Sequence, residues 1–363
     1  MKTTRTLICI LLLLVLINKS SFAQSNKEKA LDKGRQALSL EQEGKFDDAI
    51  KLLQESMKLD PDDINYPYEL AYAYYSIKDY KKSCKYLEDI IDHKDVTDLV
   101  YQLLGNCYDN LGKSEKAIKI YEDGLNKFPN SGSLCLEMGI MQMGKKDYNK
   151  AIYYYEKGIE VAPTFPSNYY WAAKLYCNST EEVWGMIYGE IFMNLERNTK
   201  RTSEISKLLF DTYKSQITIS GDTSASVSFS KNSTMNISDL SDPSNIRLPF
   251  GMMAYEPGLI MSIIGIKSID INSLDTIRSN FVDIYFKNGN DKKYPNVLFS
   301  YQKEIKDLGH MEAYNHWVLM KGDEEAFSTW QKDNQSKWET FVKWFRENPI
   351  KITNENKFYR GQY

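Results

Sequence analysis

The sequence predicts an all-α protein: a superhelix of helical hairpins, then a helical C-terminal domain, with a short β-containing insertion between them. Three observations predict it. Small residues recur every 34 positions through the first half, aromatic residues and prolines recur in the same register, and apolar residues return to a helical period after Pro257.

Residues 1–23 stand outside this fold. Lys2 and Arg5 precede the apolar run Leu7 to Ile17, and Ser21-Phe22-Ala23 puts small residues where a signal peptidase reads. That run makes a signal core but is short of the roughly 20 residues that span a bilayer. The expectation is cleavage between Ala23 and Gln24, export to the periplasm or beyond, and no membrane insertion of the mature chain. Cys9 lies inside the core, so lipid attachment is not expected. Without Lys2, Arg5 and Lys19 the 46 basic residues fall to 43 against 49 acidic ones, a balance that argues against nucleic acid as the partner. The most apolar later stretch, Leu259 to Ile266, is too short to cross a membrane and reads as a buried helix or strand. Cys84, Cys107, Cys135 and Cys177 read as unpaired thiols filling small apolar gaps, with three complete disulfide pairings open as the alternative. Their spacing lacks the close pairs of a zinc site.

After a linker, 24–29, the repeat begins. Ala37, Ala71, Gly105, Gly139 and Ala173 form one row, and Ala49, Ser83, Ala117, Ala151 and Gly185 a second. Antiparallel helices whose axes approach to about 8 Å need small residues where they cross. Tyr74, Tyr108 and Tyr176 share a row, as do Phe46, Tyr80 and Tyr148, and these fill the space beside the crossings. Pro61, Pro129 and Pro163 form a row that stops each second helix, and Gly44 and Gly112 fall where the hairpin turns.

These rows resemble the tetratricopeptide repeat family over residues 30–197, with four clear repeats (30–63, 64–97, 98–131, 132–165) and a divergent fifth from Pro166. In the fifth, Arg197 replaces the terminal proline, and a second helix rich in Trp184, Met186, Ile187, Tyr188, Ile191 and Phe192 reads as docked against the next domain. The resemblance implies that the first helices line an inner wall on which a protein or peptide partner lies. It assigns to that wall Tyr68, Tyr72 and Tyr75, then Gln102, Asn106 and Asp109, then Leu136, Ile140 and Met143, then Tyr170 and Lys174. One branch of the family clamps a C-terminal carboxylate with lysine, asparagine and arginine. Only Asn106 and Lys174 carry that chemistry here, and Glu137 departs from it, so a terminal carboxylate is not the expected ligand.

A helix near 202–214, within a segment 198–214, is expected to cap the stack. Residues 215–258 turn polar, with β alternation in Gln216 to Ser220 and Ala225 to Phe229 predicting a hairpin and then a polar loop. In 259–363 helices are predicted near 273–287, 296–308, 310–321, 323–333 and 335–347, broken at Asn288-Gly289 and Gly322. Trp338, Phe341, Val342 and Phe345 form one stripe, read with Trp317 and Trp330 as an aromatic core in preference to a glycan platform. This region looks like those attached to exported repeat proteins of Bacteroidetes-type bacteria.

No serine elbow, phosphate-cradling loop or dinucleotide fingerprint occurs in the sequence. The one suggestive cluster is His310, Glu312 and His316. At about 100° per residue the two histidines point roughly 120° apart on a regular helix, so the three do not converge on one metal. The reading is a non-enzymatic scaffold or adaptor without cofactor or metal. The alternative from another class is an envelope glycan-binding or glycan-processing protein whose active part is the C-terminal domain.

Overall fold

The computed structural model describes residues 25–220, 224–231 and 249–363. The expected signal segment and most of the polar loop after the hairpin lie outside the described residues. The described residues form two compact units, one ending at Pro129 and one beginning at Asn130.

The first unit consists of three helical hairpins: α1 (25–42) with α2 (Phe46–Leu59), α3 (Asn65–Ser76) with α4 (Tyr80–Ile90), and α5 (Asp98–Asn110) with α6 (Ser114–Lys127). Their crossings explain the small-residue rows. Position 105 faces Tyr121 so closely that an added Cβ would stand 2.1 Å from the ring. The residue sixteen further on is Leu53 after Ala37, Leu87 after Ala71, and Tyr121 after Gly105. Glycine thus stands opposite the bulky ring and alanine opposite leucine, and all six side chains or backbones sit in buried positions.

The turns show a row that composition hides. Gly44, Gly112 and, at the same register, Lys78 and Lys146 all adopt left-handed backbone, with φ of 75°, 72°, 65° and 60°. A side chain in that region costs about 1 kcal/mol that glycine avoids. Lys78→Gly and Lys146→Gly are each expected to raise unfolding free energy by about 0.5–1 kcal/mol, read from denaturant midpoints.

The second unit opens with two more hairpins, α7 (Gly132–Gly144) with α8 (Tyr148–Val161) and α9 (Pro166–Tyr176) with α10 (Glu182–Leu195). Gly139 repeats the crossing, with an added Cβ falling 2.2 Å from the Tyr155 ring. Then come α11 (Lys200–Gln216), strands β1 (Ile217–Ile219) and β2 (Ala225–Val227), α12 (Glu256–Ser262), α13 (Ile271–Lys287), α14 (Asn290–Lys293), α15 (Val297–Asp307), α16 (Met311–Leu319), α17 (Glu324–Asp333) and α18 (Gln335–Glu347). The strands pair antiparallel, Ile217 opposite Val227 and Ile219 opposite Ala225. Helix starts follow their caps: Asp270, Asn296 and Asp323 accept backbone N–H groups at the heads of α13, α15 and α17.

One apolar core runs from Leu136 to Phe358. Every residue from Glu182 to Asn194 of α10 is buried, which is why that helix is too apolar for a solvent-facing hairpin. The helix expected to cap the stack, α11, is covered as well: it packs on α9 and α10 on one side and on α16 on the other. Inside this core Glu190 of α10 meets Arg278 of α13 through two hydrogen bonds of 2.7 and 2.9 Å. Gln302 and Tyr314 donate to the same carboxylate, and Tyr213 and Asn315 accept from the guanidinium, so helices α10, α11, α13, α15 and α16 share one polar knot.

The stretch Leu259 to Ile266, read as buried, is buried on one side only. Gly258, Leu259, Ser262 and Ile263 face the core, whereas Met252, Met253, Ile260, Met261 and Ile264 are exposed. Uniform hydrophobicity hides which face is covered, because the helical period carries no contrast there. Among the described residues no helix is long and apolar enough to cross a membrane.

Candidate functional site

In the first unit the inner helices α1, α3 and α5 present the wall, and register decides what lies on it. Leu38, Tyr72 and Asn106 share one row, Glu41, Tyr75 and Asp109 another, and Leu31, Asn65 and Leu99 a third. These positions are spaced seven and three apart on each helix and so share a face. Leu31, Leu38, Tyr72 and Leu99 remain 48, 40, 42 and 45 % exposed. Only Ile77, at the end of α3, joins them among the large apolar side chains left exposed in the described part of this unit.

The polar members are held in place. Tyr75 accepts a hydrogen bond from Asn110 at 3.2 Å and packs edge-on against Tyr80. Asn106 accepts from Tyr121 at 2.5 Å, and Asp109 accepts from Ser114 at 2.8 Å. Asn106 is therefore part of the crossing that Gly105 makes, and truncating it would remove an acceptor from a buried phenol. Half-buried Tyr68 has its phenol pushed up to about 12, by burial first and then by Glu69, Tyr72 and Asp98. Half-buried Glu41 is raised to about 7 by burial and by Glu69, and burial also raises Glu69. Neither carboxylate has a basic partner among the described residues, and Oε1 of Glu41 is shielded without a hydrogen bond.

A carboxyl raised from 4.5 to about 7 in the folded chain binds its proton more tightly there than when unfolded, so its contribution to stability is lost as pH rises from 4.5 through 7. Glu41→Gln has no such loss. It is expected to exceed the wild type in stability at pH 8 by about 1 kcal/mol, allowing for solvent screening of a half-exposed group, and to match it near pH 4. Denaturant unfolding at the two pH values measures this.

The second unit treats its assigned residues differently. Ile140 is exposed on α7, Met143 is partly covered by the core, and Leu136 is buried within it. Tyr170 is buried and donates to Glu204 of α11 at 2.5 Å, and Lys174 binds the same carboxylate at 2.7 Å. Leu136 and Tyr170 are thus packing residues, not wall contacts, because the core and α11 cover them. Beside Lys174 a cleft is lined by Lys200, Lys207, Lys321, Glu204, Asp211 and Glu324. Its lysines at 207 and 321 pair with Asp211 and Glu324, so opposite charges there are matched internally.

His310, Glu312 and His316 are separately committed. His316 stacks on Trp330 at 4.0 Å and contacts the Glu312 carbonyl and the Asn272 side chain. Glu312 accepts from Trp330 and Lys337, and His310 packs against Trp344. Burial holds both histidines below the ordinary imidazole range. Among the described residues no group of three His, Cys, Asp or Glu is placed to hold a metal. Trp317 and Trp330 are buried, and Trp338 packs between Trp330 and Phe341.

Sequence reasoning missed Leu31, Leu38, Glu41 and Leu99. Projecting Tyr72 and Tyr75 back by one repeat lands on Leu38 and Glu41, so the signal was present in the register.

The tetratricopeptide repeat family matches residues 40–104 and, in a second form, 99–126 and 132–165. The chain is similar to tetratricopeptide repeat protein 21B of Mus musculus, 38% identical over 60 residues, which are 16% of this chain and 5% of that protein. The chain therefore spans a small fraction of that relative's length. Among solved structures it is similar to a thermophilic TPR protein of Thermus thermophilus, at 17% identity and TM-score 0.43 over 50% of this chain and 98% of that one. It is also similar to Pseudomonas aeruginosa pilF, at 16% identity and TM-score 0.45 over 53% and 86%. Residues 40–126 and 132–165 thus carry tetratricopeptide repeats in a helical-hairpin fold.

Proposed function

We propose that this repeat protein is an exported, non-catalytic scaffold that holds a polypeptide segment of a partner on the inner-helix face of its first unit. One observation carries the reading. Of the five large apolar side chains left exposed among the described residues of that unit, four stand on the inner rows: Leu31, Leu38, Tyr72 and Leu99. Large apolar groups gathered on one face of three successive inner helices are what a contact surface presents. The tyrosines add rigid area with few rotamers to fix, and the wall amides suit an extended backbone. Export rests on the charged, apolar and small-residue order of 1–23, and places the partner in the periplasm or outside the cell.

The test uses Tyr72→Ala with Leu99→Ala. Both side chains are about two-fifths exposed and lie outside the buried core, so the thermal midpoint should fall by only a few degrees. Capture of the native partner, fixed by cross-linking in the producing cell and quantified by mass spectrometry, should fall about tenfold. Asn106→Ala is the wrong probe for this purpose, because it also removes an acceptor from Tyr121 at the helix crossing. Unchanged capture by the double variant moves the partner surface elsewhere.

A further inference from the structure

We propose that two copies of this chain associate through the outward side of α12 and of the π-helical turn before it, Gly251–Tyr255. This surface belongs to the second unit, and the inference does not depend on the partner surface of the first.

Six positions between 251 and 264 are exposed: Met252, Met253, Pro257, Ile260, Met261 and Ile264. None has a charge or a hydrogen-bonding side chain. Five of them are among the nine large apolar side chains left exposed in the described part of the second unit, and the other four are spread over α7, α8 and the end of α15. Scattered singles are ordinary on a surface, whereas five within 252–264 form one patch. The other side of the same helix is already filled. Leu259 and Ile263 are 1 and 2 % exposed, Ser262 donates to the Gly258 carbonyl at 2.7 Å, and a Cβ at Gly258 would stand 2.9 Å from Phe281 of α13. Glu256 is held too, accepting from the backbone N–H groups of Phe229 and Ser230 at 2.7 and 2.8 Å. The helix is therefore fixed with its methionines and isoleucines outward.

At roughly 200 Å² for a fully exposed methionine or isoleucine, the five side chains leave about 500 Å² of apolar surface in water on each copy. Pairing two such patches removes about 1,000 Å², the lower bound of a specific interface, so the dimer is weak and concentration-dependent. The mate must bring a surface equally free of charge, because a charged group set here would lose its water and gain no counter-charge. The chain itself carries such a surface, and a two-fold axis presents it to its own copy. Methionine suits self-pairing, since its unbranched side chain adapts to an identical neighbour. A lipid surface is the poorer fit. Segments that lie in a bilayer interface carry tryptophan or phenylalanine beside lysine or arginine, and the exposed positions of 251–264 have none of these.

Sedimentation velocity on protein purified from the producing cell, from about 1 to 200 µM, is the test. The average mass should rise from one chain toward two with a midpoint on the order of ten micromolar, and sodium chloride should not weaken the dimer, because no charges are paired in it. Met261→Lys with Ile264→Lys should raise the dissociation constant more than about thirtyfold, and so should Met252→Lys with Met253→Lys. Leu308→Lys, exposed elsewhere in the unit, should leave it unchanged. At the lowest concentration, where every variant is a single chain, circular dichroism and thermal midpoints should match the wild type. A wild type that stays one chain throughout, or a dimer that survives both lysine pairs, overturns the proposal. Growth beyond two chains does so as well, since a closed two-fold contact forbids it. Co-flotation with phosphatidylcholine vesicles that is abolished by Met261→Lys with Ile264→Lys, without a dimer in solution, overturns it in favour of lipid.

Discussion

Gly105→Ala is expected to lower the unfolding free energy by about 3 kcal/mol, a large loss for adding one methyl group. The new Cβ would sit 2.1 Å from a ring carbon of Tyr121, which is itself buried and tied to Asn106. Neither the ring nor α5 can withdraw without opening the crossing, so the hairpin must part. The same chain supplies the remedy: Ala37 and Ala71 occupy this row opposite Leu53 and Leu87. Gly105→Ala combined with Tyr121→Leu should therefore recover more than half of the loss, although Tyr121→Leu alone costs about 1–2 kcal/mol in lost packing and hydrogen bonding. A double-mutant cycle from denaturant midpoints measures the coupling. Additive losses would show that the two positions do not meet.

Arg278→Met is expected to destabilise the second unit by about 3–5 kcal/mol, the largest single effect there. It leaves Glu190, 3 % exposed, as a buried carboxylate without its cation. Gln302 and Tyr314 still donate to it, but neutral donors do not replace a bidentate guanidinium. Glu190→Gln added to Arg278→Met removes the unpaired charge and should return about half of the loss. Thermal unfolding of the three variants checks the order. An Arg278→Met protein as stable as the wild type would mean that the pair is not buried as described.

The hairpins were legible because their constraint is local and repeated. A backbone crossing admits only glycine, alanine or serine, so each repeat writes the same small residues at the same places. The helices after residue 270 were legible from caps such as Asp323 and breaks such as Gly289, whose φ is 70°. What the sequence concealed depends on what covers a face. Tyr170 and Lys174 fit the wall rows by register, yet Glu204 of α11 binds both, and no local pattern announces a contact thirty residues away. Met261 and Ile264 read as buried because apolar residues surround them in sequence, and only the packing reveals that Leu259 and Ile263 face the core while they do not. Glu41 was overlooked for another reason: its importance lies in the nearness of Glu69 and in the missing cation, neither of which one helix displays.

Site-specific photo-cross-linking tests the inner-face assignment most directly. A photoreactive amino acid is placed singly at Leu38, Tyr72 or Lys119 in the full chain and illuminated in the producing cell. Leu38 and Tyr72 are exposed on inner helices of the first unit, and Lys119 is exposed on the outer helix α6. Positions 38 and 72 should give the same partner adduct and position 119 little or none. Adducts that form at position 119 while 38 and 72 stay silent would contradict the assignment.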